Sequence, residues 1–363
     1  MFGAFRFVMG LLVVVTHIGG VETIGGIAVW GFYVLSGFLM TAVLNTRYGF
    51  DRDGLLGYAA SRAFRLLPSY WLGIAITAAA IAVYGERADP RLINDQMDLP
   101  VTPHEIFSSV FILGNTFLGL GRIDTALSPP VWAVEVEILM YVCSCFFLSR
   151  SERTAKITAI VLTLFFPVLW AAAKFLLPGD EQSLASEVIY SFLPAALFPY
   201  AWGCWLWFSR DKLPPFLAQN ACSFLAGAGM LFCAFVINEV SVTACYVLSV
   251  PCVLVLVHGL SKRRPQGLYR RADDLLGRMS YPIYLLHFFC AYLVVLINQN
   301  ALPFTYRIGE FERFTLLGFF AVLAVILIVT VVFAVLVEAP VERVRHQVAK
   351  AIVSRKKTQG AQA

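Results

Sequence analysis

The chain has 363 residues, of which 59% are hydrophobic and 14% charged, with a formal net charge of +5 and a mean hydropathy of +0.75. Soluble globular chains carry roughly 45–50% apolar and about 25% charged residues. Too few charges are present to cover so much apolar surface, which excludes both an ordinary cytosolic enzyme and a disordered chain. An all-α integral membrane protein is the expected class.

A spanning helix needs about 20 mostly apolar residues. Ten stretches meet that need in chain order: 4–20, 25–46, 66–85, 128–148, 157–177, 186–208, 216–238, 241–260, 279–298 and 314–338. The first lacks a small-residue cleavage site and is not a removed signal peptide. Residues 1–341 form one transmembrane domain of about ten helices around a mid-membrane cavity, and 342–363 form a basic cytoplasmic tail. With the N-terminus in the cytoplasm, the inner segments hold 22 of the 28 Lys and Arg: Arg6, four in 47–65, three in 150–156, two in 210–212, six in 262–278 and six from 343 onward. The outer side holds 5, and Lys174 falls inside a span. This positive-inside bias places both termini in the cytoplasm. It would collapse if the short apolar segment 104–120 crossed the membrane. That segment therefore reads as a re-entrant or interfacial piece of a long outer loop, 86–127.

Lys262-Arg263-Arg264 and Arg355-Lys356-Lys357 read as contacts to lipid headgroups. No basic face interleaved with aromatics points to nucleic acid. The eight cysteines (143, 145, 204, 222, 233, 245, 252, 290) all lie in apolar stretches, and none is in a Cys-x-x-Cys pair. Neither a disulfide framework nor a metal site is expected.

Ionisable groups inside spans are costly and mark function by default. Arg6 and His17 are eleven residues apart, about 16 Å of rise and about 1100° of turn, so they share a helix face. Ser36 and Gly37 lie about 16 Å into the second span, and Glu137 lies about 10 Å beyond Pro130. His287 lies about 14 Å beyond Arg278. Two histidines, a carboxylate and a Ser-Gly step thus project to the middle third of the membrane. Taken singly, each has a plainer reading. A lone histidine is often a structural donor, and Ser36-Gly37 suits close helix packing. His287 is either a site residue or a structural partner of Tyr284. Glu135 and Glu137 are about 200° apart on their helix and cannot both face one site. Arg62 and Arg65 stand i,i+3 before Pro68 at the inner edge, where two guanidiniums either clamp phosphates or anchor to headgroups.

These residues resemble the membrane-bound acyltransferase family 3, which O-acylates sugars and other hydroxyl acceptors. Arg6 and His17 match its Arg-x10-His signature. Tyr33 to Phe38, through Ser36-Gly37, loosely match its Phe-x-x-Ser-Gly-Phe pattern. Arg62, Arg65, Pro68 and Tyr70 match its Arg-x-x-Arg pair. Trp132-Ala133-Val134-Glu135-Val136-Glu137, ending at Tyr141, matches its Trp-Ser-Leu-Ser-Val-Glu-Glu motif. Ser280 to His287 and Glu338-Ala339-Pro340 also look familial. Glu135 stands where many members have Ser or Asn, and Ile138 replaces the second Glu, so Glu137 maps to the retained acid. The Trp-x-x-Glu-x-Glu form is similar to the exopolysaccharide O-acetyltransferase subgroup.

The resemblance implies a multi-pass protein of the bacterial cytoplasmic membrane. It transfers an acyl group, most often acetyl, from acetyl-CoA or another acyl-CoA to a carbohydrate or lipid-linked glycan. His17 and Glu137 are the implied catalytic pair, with His17 as general base. Arg6, Arg62, Arg65 and Ser36 would hold the donor, and Trp132, Glu135, Tyr141 and His287 the acceptor. Glu137 orients His17, stabilises its imidazolium or binds the acceptor. Ser36 donates to the thioester oxygen or simply permits close backbone approach. Mid-membrane His and Glu would equally serve a proton-coupled transporter or flippase, although the sequence has no inverted repeat. The separate membrane-bound O-acyltransferase superfamily also uses an intramembrane His but lacks Arg-x10-His at the N-terminus. The acceptor, the acyl chain and the oligomeric state are not fixed by the sequence.

Overall fold

Long apolar runs with no water to bond their backbones must satisfy every amide internally, and helices do this. The computed structural model describes residues 1–21, 24–114, 125–176, 192–298, 302–308 and 311–359. Its helices are α1 (Phe2–His17), α2 (Ile24–Val43), α3 (Arg52–Tyr84), α4 (Pro103–Phe111), α5 (Val131–Cys143) and α6 (Glu152–Leu176). They continue with α7 (Leu193–Ser209), α8 (Asn220–Phe232), α9 (Val242–Ser261), α10 (Gly267–Asn298), α11 (Leu316–Phe333) and α12 (Ala339–Gln359). An antiparallel hairpin, β1 (Thr305–Ile308) and β2 (Phe311–Phe314), precedes α11 with Thr305 opposite Phe314. Each expected span is helical over most of its described residues; residue 177 of the fifth and residues 186–191 of the sixth lie outside the described residues. Eight helical stretches are long and apolar enough to cross a membrane, whereas α1 and α7 are shorter, at 16 and 17 residues.

α1 packs between α2 and α10, α2 lies along α7, and α12 lies along α3. Glycine makes the α2–α7 approach possible. A Cβ on Gly37 would sit 2.2 Å from the Tyr200 carbonyl oxygen, and one on Gly203 would sit 2.0 Å from that of Val34. Both obstacles are backbone, so they cannot swing aside. Gly203→Ala is expected to force the helices apart and cost about 1–3 kcal/mol, the usual range for overpacking. Thermal unfolding of the detergent-solubilised protein checks this, and an unchanged midpoint would contradict the close approach.

Two features near the C-terminal end of α3 set the depth of everything else. α4 opens with a capping box, in which Thr102 accepts from the Glu105 amide and Glu105 from the Thr102 amide. At nine residues it is about 13 Å long, too short to span. The Tyr70 hydroxyl and the Trp71 indole donate to the carbonyls of Ser109 and Val110 at 2.7 and 2.8 Å. Those donors lie about 20 Å before the C-terminal end of α3, so the last turn of α4 reaches into the bundle, as a re-entrant segment would. The chain leaves it through Ile112 and Gly114, with φ of 58° and 89°.

α5 also starts deep. The Ser128 hydroxyl donates to the Leu285 carbonyl at 3.0 Å, and the Tyr284 hydroxyl to the Pro130 carbonyl at 2.9 Å. Leu285 is about 20 Å along α10 from its outer end at Asn298. The first turn of α5 therefore begins inside the bundle and not at the membrane surface.

At the other face, π-helical turns end α2 and α5 and join α11 to α12, and a fourth ends α8. Such turns recur at functional sites, and the last one, Ala334–Glu338, carries Glu338 inward. Residues 342–359, in the expected tail, are helical. Lys262 bonds Asp211 at 2.6 Å between the loops after α7 and α9, and this ammonium holds the Asp211 carboxyl below its ordinary range.

Candidate active site

Five helices deliver polar side chains to one cavity of about 120 Å³. α1 contributes Arg6, α2 Ser36, α3 Arg62 and Arg65, α5 Glu137 and Tyr141, and α10 Tyr281 and Tyr284. The Ser36 hydroxyl donates to Glu137 Oε1 at 2.9 Å, and the Tyr141 hydroxyl donates to the same oxygen at 2.5 Å. Glu137 is thereby fixed by two donors on one oxygen. Ser36 thus holds the carboxylate, while its neighbour Gly37 permits the α2–α7 packing.

The four guanidiniums around this region differ in their commitments. Arg65 forms an ion pair with Glu338, whose other oxygen accepts from the Ser69 hydroxyl at 2.7 Å. Arg62 has no carboxylate partner among the described residues. Its guanidinium lies 5.9 and 5.8 Å from the ring centroids of Tyr58 and Tyr141, and its buried Nε has no hydrogen-bond partner there. Among the described residues, the Arg6 guanidinium donates only to the Phe2 carbonyl, at 3.4 Å. Arg345 is held by Glu342 at 3.0 Å.

Below this cavity lies a wider, polar one of about 490 Å³, lined among others by Asp273, Asp274, Arg278, Glu342 and Arg345. Arg6 and Arg65 line both. The two spaces therefore meet at a pair of guanidiniums, with the wide space on the cationic face of the bundle.

The histidines sit on the other side of the inner cavity. His17 is the last residue of α1, and its Nδ1 lies 2.8 Å from Nε2 of His287. His287 is fully buried, and its Nδ1 lies 2.9 Å from the Tyr284 carbonyl oxygen and 3.2 Å from that of Ile283. Phe288 lies beside both rings, with centroids at 5.0 and 4.4 Å. His287 is three residues beyond the cavity-lining Tyr284, about 4.5 Å further out along α10. Neither histidine lines the cavity itself.

Of the sequence-predicted residues, the structure brings Arg6, Ser36, Arg62, Arg65, Glu137 and Tyr141 to one cavity, and pairs His17 with His287 above it. The expectation that Glu137 shares the depth of His17 does not hold. Since α5 starts at the level of Tyr284, Glu137 comes down beside Arg6, and Arg6 is about 16 Å of helix below His17. The partner of the His17 ring is His287, not a carboxylate. Glu135 is fully buried away from the cavity, where it accepts from the Gly114 amide at 2.9 Å, so it ties the re-entrant segment to α5. Trp132 is half-buried and does not line the cavity. Tyr284 meets His287 through its carbonyl and leaves its hydroxyl for Pro130. Sequence reasoning missed Ser69, Tyr58 and the pairing of Arg65. The only signal for that pairing was the Glu338-Ala339-Pro340 motif, which marked the partner but not what it held. Asn115 lies outside the described residues.

Residues 2–338 match the family model described as an acyltransferase domain. The chain is similar to the exopolysaccharide production protein ExoZ of Rhizobium meliloti (strain 1021). The two are 25% identical over 280 residues, covering 75% of this chain and 78% of that one. It is also similar to YrhL of Bacillus subtilis (strain 168), named a putative peptidoglycan O-acetyltransferase. There the identity is 27% over 304 residues, covering 73% of this chain and 44% of that one. The match to YrhL thus takes in less than half of that protein. No solved structure matches the chain.

Proposed function

From the premise that the chain belongs to the acyltransferase 3 family, we propose that it moves an acyl group, most simply acetyl, from acyl-CoA to a hydroxyl of a carbohydrate. The acceptor class follows the printed names of the two relatives, one tied to exopolysaccharide and one to peptidoglycan. We place the protein in a bacterial cytoplasmic membrane with both termini inside and ten spans. This rests on the positive-inside bias and on the ten helical segments.

One observation carries the reading: Arg6 and Arg65 line both the wide inner space and the narrow cavity beneath the histidines. A donor with phosphates at one end and a thioester at the other fits that order. Its phosphates would rest on the unpaired guanidiniums of Arg6 and Arg62, and on the N–H groups of Arg65 that Glu338 does not use. Its slender arm would run past Ser36, Glu137 and Tyr284 toward His17. The acceptor would come from the outer side, near Trp132 and the re-entrant segment that Glu135 anchors.

In the chemical step His17 takes the proton of the acceptor hydroxyl. The acceptor oxygen attacks the thioester carbonyl carbon, the new C–O bond forms and the C–S bond breaks. The CoA sulfur leaves with the proton from the imidazolium, and the ring returns to neutral. Glu137 stays in the cavity as the shared acceptor that holds Ser36 and Tyr141 in place.

Arg62→Ala is expected to raise the KM for acetyl-CoA about 10- to 100-fold, the value of a hydrogen bond to a charged group, with kcat little changed. Kinetics in membrane vesicles carrying the native acceptor, with calorimetry of acetyl-CoA binding to the purified protein, test this. Unchanged donor affinity would remove the phosphate contact.

A further inference from the structure

We propose that His287 is a positioning residue that fixes the tautomer of His17, taking the place that a carboxylate holds in a triad; this rests on His17 being the general base. A backbone carbonyl only accepts. His287 Nδ1, at 2.9 Å from the Tyr284 carbonyl oxygen and 3.2 Å from that of Ile283, must therefore carry the ring proton. A neutral imidazole has one N–H, so Nε2 of His287 is a bare acceptor. His17 Nδ1, 2.8 Å away, must then be the donor. With its own proton committed to Nδ1, neutral His17 keeps its lone pair on Nε2. The chain of two rings and one carbonyl thus turns a helix backbone into the orienter of a base, with no charged group in the relay.

The packing holds that relay still. Phe288 stacks on the His17 ring, with centroids 5.0 Å apart, and lies tilted against the His287 ring at 4.4 Å. His287 is fully buried, which leaves its Nε2 with His17 as its partner among the described residues. The acceptor-side nitrogen of His17 is the one the relay leaves open.

The test compares wild type, His287→Phe, His287→Gln and His17→Ala in membrane vesicles carrying the native acceptor, with acetyl-CoA as the varied substrate. Phenylalanine keeps a ring but offers no acceptor, so His17 is free to move its proton to Nε2. His287→Phe should lower kcat about 100-fold or more, within the span general-base catalysis covers, and leave the KM for acetyl-CoA within about twofold. His287→Gln offers a carbonyl oxygen where Nε2 stood and should recover at least about a tenth of the wild-type kcat. Size-exclusion profiles and acetyl-CoA affinity confirm that each variant is folded. Wild-type kcat in His287→Phe, or a His287→Gln no better than His287→Phe, would overturn the positioning role. Transfer at the wild-type rate by His17→Ala would instead overturn the base reading itself. An inactive His17→Ala beside a fully active His287→Phe would leave that reading standing and remove only this inference.

Discussion

His17→Ala is expected to lower acyl transfer by about 10²- to 10⁴-fold, the range a positioned base supplies, while donor affinity stays near wild type. The split follows from where the histidine sits. It lies outside the cavity that holds Arg6, Arg62 and Arg65, so removing it takes nothing from the donor's phosphate contacts. Loss of the ring leaves Nε2 of His287 without its donor, and an unpaired buried acceptor costs about 1–3 kcal/mol. A modest fall in thermal stability should therefore accompany the kinetic loss. The measurement is O-acetyl content of the surface polysaccharide by mass spectrometry, normalised to the amount of protein in the membrane, together with acetyl-CoA binding. Normal ester content at normal expression would take His17 out of the chemistry.

Arg65→Ala should behave differently from Arg62→Ala, although both arginines belong to one sequence motif. The Arg65 side chain is 17% exposed and that of Glu338 is 3% exposed. Removing the guanidinium strands a buried carboxylate with Ser69 as its remaining donor, which costs about 3–5 kcal/mol for a broken buried pair. The expected result is a large drop in unfolding temperature and poor recovery from the membrane, before any kinetic effect is read. Replacing both members with apolar residues of similar size, Arg65→Met with Glu338→Leu, should restore most of the stability and none of the donor contact. If the single Arg65→Ala variant unfolds at the wild-type temperature, the pair does not hold α3 to the α11–α12 junction as the structure has it. Arg62, whose partners are two aromatic faces, the Ser61 hydroxyl and the Met40 sulfur, should lose donor affinity with a smaller change in stability.

Much of this architecture is legible in the residues because the bilayer imposes a single rule on the backbone. Hydropathy alone marks the helices. The cavity residues are legible too, since charge within an apolar run is its own signal. Depth is not. The sequence put Glu137 in the middle third on the assumption that Pro129-Pro130 marks the outer surface. Side-chain bonds from Ser128 and Tyr284 pull that start inward instead. Such bonds join residues over 150 positions apart and leave no trace in local pattern. The same holds for His17 with His287, 270 residues apart, and Arg65 with Glu338, 273 apart. Sequence names the members of these pairs; only packing marries them.

The inward start of α5 leaves the protein with a thin waist. Gly277 of α10 already lies close against Gly3 of α1, and from there to His287 is ten residues, or about 15 Å of helix. Between the narrow cavity and the histidines stand a few rings: the imidazoles, Phe288 and Tyr284. In the proposed reaction those rings would be at once the meeting place of donor and acceptor and the layer that must keep protons from leaking past.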